Sequence, residues 1–124
     1  MSAIEVGRQL VELFNHGKSE EAMESLYAAG IVSIEAFDSP ELPARIEGLG
    51  AVRKKASDWF AVHEVHSERA VGPFCGNRPD QFAVFFEIDV TDTRTGNRSD
   101  FREVALYTVA GGRIVEESFL YLMP

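Results

Sequence analysis

The second half of the chain constrains the fold most. From residue 64 onward four strand-like runs follow one another: "EVHSERAVGPF", "QFAVFFEIDVT", "RSDFREVALYTV" and "RIVEESFLYL". They are joined by "CGNRPD", "DTRTGN" and "AGG", whose Gly, Asn, Asp and Pro residues suit reversals of the chain. Strands joined by such short turns pair antiparallel. In "QFAVFFEIDV" the alternation is strict. Phe82, Val84, Phe86, Ile88 and Val90 share one face, and Ala83, Phe85, Glu87 and Asp89 the other. The first face is continuously apolar and must be covered by something.

The first half supplies the cover. Val6, Leu10, Leu13 and Phe14 recur at helical spacing, and Gly17 suits a left-handed C-terminal cap. Ser19 reads as the N-cap of a second helix, with Glu20 and Glu21 well placed against its dipole. That helix carries Met23, Leu26 and Tyr27 and is expected to stop before Gly30. "IVSIEAF" predicts a strand at about 31–37. A loop with Pro40 and Pro43 follows. Leu49, Val52, Ala56, Trp59 and Phe60 then mark a third, amphipathic helix whose apolar face should pack onto a sheet. Helices gathered on one face of an antiparallel sheet make an α+β fold. A chain of 124 residues is expected to form one domain, 1–124.

Register decides which side chains point inward. A two- or four-residue loop around Arg94-Thr95-Gly96 pairs Phe86 with Glu103 and sets Arg102 beside Glu87 on the outer face. Phe101, Glu103, Ala105 and Tyr107 then face the helices. At the last turn two readings stand. A three-residue loop Ala110-Gly111-Gly112 turns Val115, Glu117, Phe119 and Tyr121 inward; it is preferred because it buries Phe119 and Tyr121. A two-residue loop at Gly111-Gly112 would instead turn Ile114, Glu116, Ser118 and Leu120 inward.

Glu103 and Glu117 therefore fall among aromatic residues where a filled core would reject them. Burying an unpaired carboxylate costs several kcal/mol. A water-accessible cavity between helices and sheet removes the conflict, and carboxylates in such a place have raised pKa values.

Charge and composition narrow the partners. The net charge is −8, which argues against a nucleic acid or an anionic membrane as partner. The basic run Arg53-Lys54-Lys55 is short and reads as a solvated helix face. The single cysteine, Cys75, excludes an intrachain disulfide and fits a reducing compartment. "MSAIEVGRQLVELF" lacks the basic head and apolar core of a signal peptide, and no apolar stretch approaches a membrane span. The expected location is cytoplasmic.

Four stretches, "ELFNHGKSEEAMESLYAAGIVSIEA", "GLGAVRKKASDWF", "FEIDVT" and "EVALYTVAGGRIVEESFLY", resemble the SnoaL-like and ketosteroid-isomerase-like proteins. These belong to the nuclear-transport-factor-two-like superfamily. The resemblance implies a curved, mixed and mainly antiparallel sheet wrapped around about three N-terminal helices, a cone with an internal pocket. It implies cofactor-free acid–base chemistry next to a carbonyl: isomerisation, cyclisation or hydration. It places Glu35 where the isomerases carry their proton-shuttling aspartate. Leu10 and Ala105 stand where those enzymes carry an oxyanion-binding tyrosine and protonated aspartic acid. The donors here would have to be arranged differently, with Tyr107, Tyr121 and Glu103 as candidates.

Glu35, Glu103 and Glu117 are the candidate catalytic residues, a base needing a carboxylate in a dry pocket within reach of the substrate proton. Glu35 otherwise reads as a strand-end residue in solvent or paired with Arg45. Trp59, Phe86, Phe101 and Phe119 are candidate ligand walls, with Tyr107, Tyr121 and His66 as polar contacts. "HEVH" lacks the spacing of a helical zinc site, and on a strand its imidazoles diverge, so no metal is expected; which of His63 and His66 lines the pocket stays open. No cofactor is expected. The expected partners are a small molecule in the pocket and a second copy of the chain, packed through the outer sheet face that carries Ala83, Phe85 and Leu120.

Overall fold

The structure is a computed structural model and describes residues 1–122; residues 123 and 124 of the expected domain lie outside it. Helix α1 spans Ala3–Asn15, α2 Ser19–Leu26 and α3 Leu49–Ala61. The strands are β1 (Tyr27–Ile34), β2 (Arg45–Glu47), β3 (His63–Phe74), β4 (Gln81–Asp92), β5 (Arg98–Ala110) and β6 (Arg113–Tyr121). They form one six-stranded sheet in the order β2-β1-β6-β5-β4-β3. Only β1 and β6 run parallel; every other pairing is antiparallel. The fold is α+β, with an open mixed sheet. No helix among the described residues is long and apolar enough to cross a membrane.

Local chemistry sets the helix ends. Ser2 Oγ accepts from the Glu5 N–H at 3.3 Å and donates to the Glu5 carboxylate at 3.1 Å, so two residues close the α1 N-terminus together. At the other end Gly17 takes φ +72°. Its N–H donates to Phe14 C=O at 3.0 Å, and Lys18 N–H donates to Leu13 C=O at 2.8 Å. This is the paired-bond termination that a left-handed glycine permits. Ser19 is not the cap of α2. Lys18 occupies that position without a side-chain bond, and Ser19 opens the helix itself.

Helix α1 lies over β3 and β4, burying Val6, Leu10 and Phe14. Close approach is possible because residue 7 is glycine. A Cβ there would sit 2.8 Å from the Pro73 side chain and 2.9 Å from Phe82. Val52 of α3 is fully buried, and α3 crosses β1. The core runs through Val6, Leu26, Ile31, Phe82, Val84 and Ile114. Phe14 and Phe86 meet edge-to-face at 4.8 Å between centroids.

The strand register partly follows expectation. Phe86 pairs with Glu103 and Glu87 with Arg102, and Arg102 meets Glu87 at 3.0 Å. The first strand is displaced. It begins at Tyr27 and ends at Ile34, so Tyr27 to Ala29 leave the expected helix, Gly30 joins the strand, and Glu35 to Phe37 leave the expected strand. Pairing of Tyr27 with Ile114 outweighs continuation of α2. The short edge strand β2 was not anticipated. The last turn combines both expected readings. Gly111 and Gly112, at φ +60° and +76°, form a two-residue turn that pairs Ala110 with Arg113. A bulge then shifts the register between Thr108 and Val109, so that Tyr107 pairs with Glu117 and Ala105 with Phe119. Ile114 and Glu117 consequently both point inward.

Candidate active site

A cavity of about 370 Å³ lies between the helices and the inner sheet face, within the range of small-molecule sites. Its wall is apolar and largely aromatic: Leu10 and Phe14 from α1, Met23 from α2, Trp59 and Phe60 from α3, Phe86 and Ile88 from β4, Phe101 from β5 and Phe119 from β6. Its polar floor is Tyr27, Glu35, Lys55, Glu103, Tyr107, Glu117 and Tyr121. The structure thus brings together all three glutamates singled out in the sequence, with Tyr107, Tyr121, Trp59, Phe86, Phe101 and Phe119.

Each glutamate has a different setting. Glu35 follows β1 directly, its N–H donating to Ala44 C=O at 2.9 Å. Its carboxylate accepts from Lys55 Nζ at 2.8 Å through Oε1 and from the Tyr121 hydroxyl at 2.6 Å through Oε2. Arg45 is not its partner but pairs with Glu47. Glu117 is 3% exposed and accepts a very short bond from the Tyr27 hydroxyl. Burial pushes its pKa up, partly offset by the Tyr27 and Ser33 hydroxyls. Glu103 stands between Phe86 and Tyr121 in the sheet. Burial, reinforced by the Glu35 carboxylate, raises its pKa to about 7. Burial also raises the phenol pKa values of Tyr27, Tyr107 and Tyr121, which therefore serve as neutral donors.

Two positions depart from the expectation drawn from the sequence. His66 is outside the cavity: it is exposed and bonded to Thr91 Oγ1 at 2.7 Å. A bulge between Val65 and Ser67 breaks the alternation that would have turned it inward. His63 stacks on Trp59 at 4.1 Å between centroids and is not a lining residue. Lys55 is the second correction. Arg53 and Lys54 are surface residues paired with Glu20 and Asp58, but the Lys55 side chain is only 21% exposed. It bonds Ser33 Oγ at 2.8 Å, and its Nζ lies 5.2 Å from the Phe119 ring centroid. Its spacing carried the signal: Lys55 stands three residues after Val52 and four before Trp59, on the apolar stripe of α3. Tyr27 also lines the cavity, from the first position of β1, where the sequence predicts a helix. Among the described residues no group of three or more His, Cys, Asp or Glu side chains is arranged to hold a metal ion.

Comparison with known proteins agrees with this architecture. A protein from Mesorhizobium loti, provisionally named a SnoaL-like polyketide cyclase, is 40% identical over 98% of this chain and 100% of its own, with a TM-score of 0.89. A Xanthomonas campestris protein of unknown function, described as having a cystatin-like fold, is 15% identical over 99% of this chain and 92% of its own, with a TM-score of 0.78. TerC, co-crystallised with polyporic acid, is 16% identical over 97% of this chain and 91% of its own, with a TM-score of 0.72. No curated protein matches the sequence. The SnoaL-like domain pattern matches residues 1–121. With its helices, mixed sheet and acid-floored cavity accounted for, the chain belongs to the SnoaL-like domain family.

Proposed function

We propose that this protein binds a hydrophobic or mixed-polarity small molecule in the cavity and catalyses proton transfer next to a carbonyl group, without a cofactor. The observation that carries the reading is the unlike setting of two carboxyl groups on one cavity floor. Glu35 is ion-paired with Lys55 at 2.8 Å, whereas Glu103 has no cationic partner within salt-bridge distance among the described residues and desolvation pushes its carboxyl up to about 7. Environments that separate two carboxyl groups in this way suit one to accept a proton and the other to donate one. In this reading Glu35 takes the proton from the carbon next to the carbonyl. The electron pair moves onto the carbonyl oxygen. Glu103 gives a proton to the enolate to form the product, exchange with solvent returns Glu35 and Glu103 to their starting states, and Tyr107 and Tyr121 orient the substrate. Glu117, bonded to Tyr27, holds the floor in place. The aromatic wall favours a planar or ring-bearing substrate. The small molecule held by TerC, which shares the fold, supports an occupant of that kind.

Deuterium exchange into 2-tetralone, an enolisable bicyclic ketone, tests this by NMR. The protein should accelerate loss of the protons flanking the carbonyl, Glu35→Gln should abolish the acceleration, and Ala56→Trp, which fills the cavity, should abolish binding as well. Binding without acceleration would leave a non-catalytic ligand carrier, and absence of binding would overturn the reading.

We further infer a homodimer formed through the outer sheet face. Phe85, Val104 and Leu120 lie side by side across β4, β5 and β6, and Leu120 is 54% exposed. Apolar side chains grouped on an uncovered sheet face suit a self-complementary contact.

A further inference from the structure

The reaction proposed above leaves negative charge on an oxygen, and that charge needs a partner. Tyr107 and, below about pH 7, Glu103 offer neutral donors, while the Tyr27 and Tyr121 hydroxyls are already given to Glu117 and Glu35. Lys55 is the one basic side chain among the described residues lining the cavity. An ammonium group carries three N–H donors. Two have acceptors, Ser33 Oγ and Glu35 Oε1, each at 2.8 Å. The nitrogen also lies near the Phe119 ring, itself a cavity wall, at 5.2 Å from the centroid. Ser33 is fully buried and Glu35 is tied on its other oxygen by Tyr121, so the nitrogen is held in place rather than sweeping through solvent.

We propose that Lys55 is the anion-binding residue of the cavity, its third N–H donating to the oxygen of a phenolate or enolate whose apolar rings rest on the aromatic wall. This assignment rests on the proposed function and deepens it by naming the ligand class: ring compounds with an acidic hydroxyl, or carbonyl compounds that pass through an enolate. Glu35 and Lys55 then act across one short distance. The carboxylate takes the proton from carbon, and the electron pair released onto oxygen meets the adjacent ammonium. The fixed charge stabilises the enolate more than the neutral ketone, which is the requirement for catalysis rather than simple binding. The same ion pair limits the effect, because Glu35 partly neutralises Lys55 until it has taken the proton. The anion site therefore strengthens as the proton leaves carbon.

The test uses two probes on the intact protein at one slightly alkaline pH. The first is 4-nitro-1-naphthol, whose ionised form absorbs visible light. The second is 1-nitronaphthalene, which has the same rings but no acidic hydroxyl. Wild type should bind the naphthol largely as the anion. Lys55→Met should lower affinity for the anion about ten- to a hundredfold, the worth of a charge-assisted hydrogen bond, with the visible band lost from the bound probe. It should bind 1-nitronaphthalene as wild type does, which also shows that the variant is folded. Lys55→Arg should retain most of the anion affinity. Glu35→Gln should tighten anion binding, since it removes a competing carboxylate, an effect that a purely structural role for Lys55 would not produce. Equal ionised fractions on wild type and Lys55→Met, or weaker anion binding by Glu35→Gln, would overturn the assignment while leaving the cavity reading intact. Failure of wild type to bind either probe would overturn both.

Discussion

Replacing Glu103 by glutamine should make the protein more stable at neutral pH and leave it nearly unchanged in acid. The carboxyl is partly buried beside Phe86 and Tyr121, and desolvation with the nearby Glu35 carboxylate lifts its pKa from the ordinary 4.5 to about 7. At about 1.4 kcal/mol per pH unit, that displacement corresponds to about 3 kcal/mol. The sign follows from proton counting. Between pH 4.5 and about 7 the folded chain keeps a proton on Glu103 that the unfolded chain has released. Stability therefore falls as pH rises through this window and levels off above it. Glutamine keeps the shape and the neutral charge at every pH, so the variant lacks this slope. Urea denaturation of both proteins from pH 4 to pH 8 measures the difference directly. The two curves should meet near pH 4 and diverge to about 3 kcal/mol by pH 8. In thermal melts the gap should be about 10 °C for a domain of this size. A difference independent of pH would show that Glu103 ionises like a solvated glutamate, and with it would go the acid role assigned to it.

Two further outcomes are expected. Tyr27→Phe removes the hydroxyl that donates to the buried Glu117 and should cost about 1–3 kcal/mol in denaturant titrations; an unchanged midpoint would mean that Ser33 alone satisfies the carboxyl. Sedimentation at micromolar concentration should give a dimer for wild type and a monomer for Leu120→Glu, which sets a charge on the exposed outer face; a monomeric wild type would remove the dimer proposal.

Much of this architecture is legible in the sequence because alternation in β4 and β5 is unbroken. Phe82 to Val90 fixes one inner face, and an even turn carries it across to Glu103 and Tyr107. Legibility fails where the period changes. A bulge at His66 turned an expected pocket ligand into a surface residue. The chain at Tyr27 changes from helix to strand within a run of apolar residues that suits either, and only the distant partner Ile114 decides between them. Strand β2, three residues long, is too short to show any period. Lys55 was hidden for a different reason. Three consecutive basic residues look like a single surface patch, but a helix turns by about 100° per residue, and that rotation carries the third into the cavity.

The placement of acid inside this cavity depends on an irregularity of the strand rather than on its pattern. With a two-residue Gly111-Gly112 turn and regular pairing, Ile114 would face inward, and so would Glu116 and Ser118, leaving Glu117 outside. One extra residue at Val115 reverses the faces beyond it, so that Ile114 seals the core beside the turn while Glu117, Phe119 and Tyr121 point into the cavity. Bulges also bend the strands that carry them, and others interrupt β1 and β3. The same departures from regular pairing thus accompany both the hollow and the polar groups that line it. Burying Glu117 in a filled core would cost several kcal/mol. Here a tyrosine hydroxyl, a serine hydroxyl and an elevated pKa reduce that cost, and Glu103 and Lys55 face space in which a ligand can reach them.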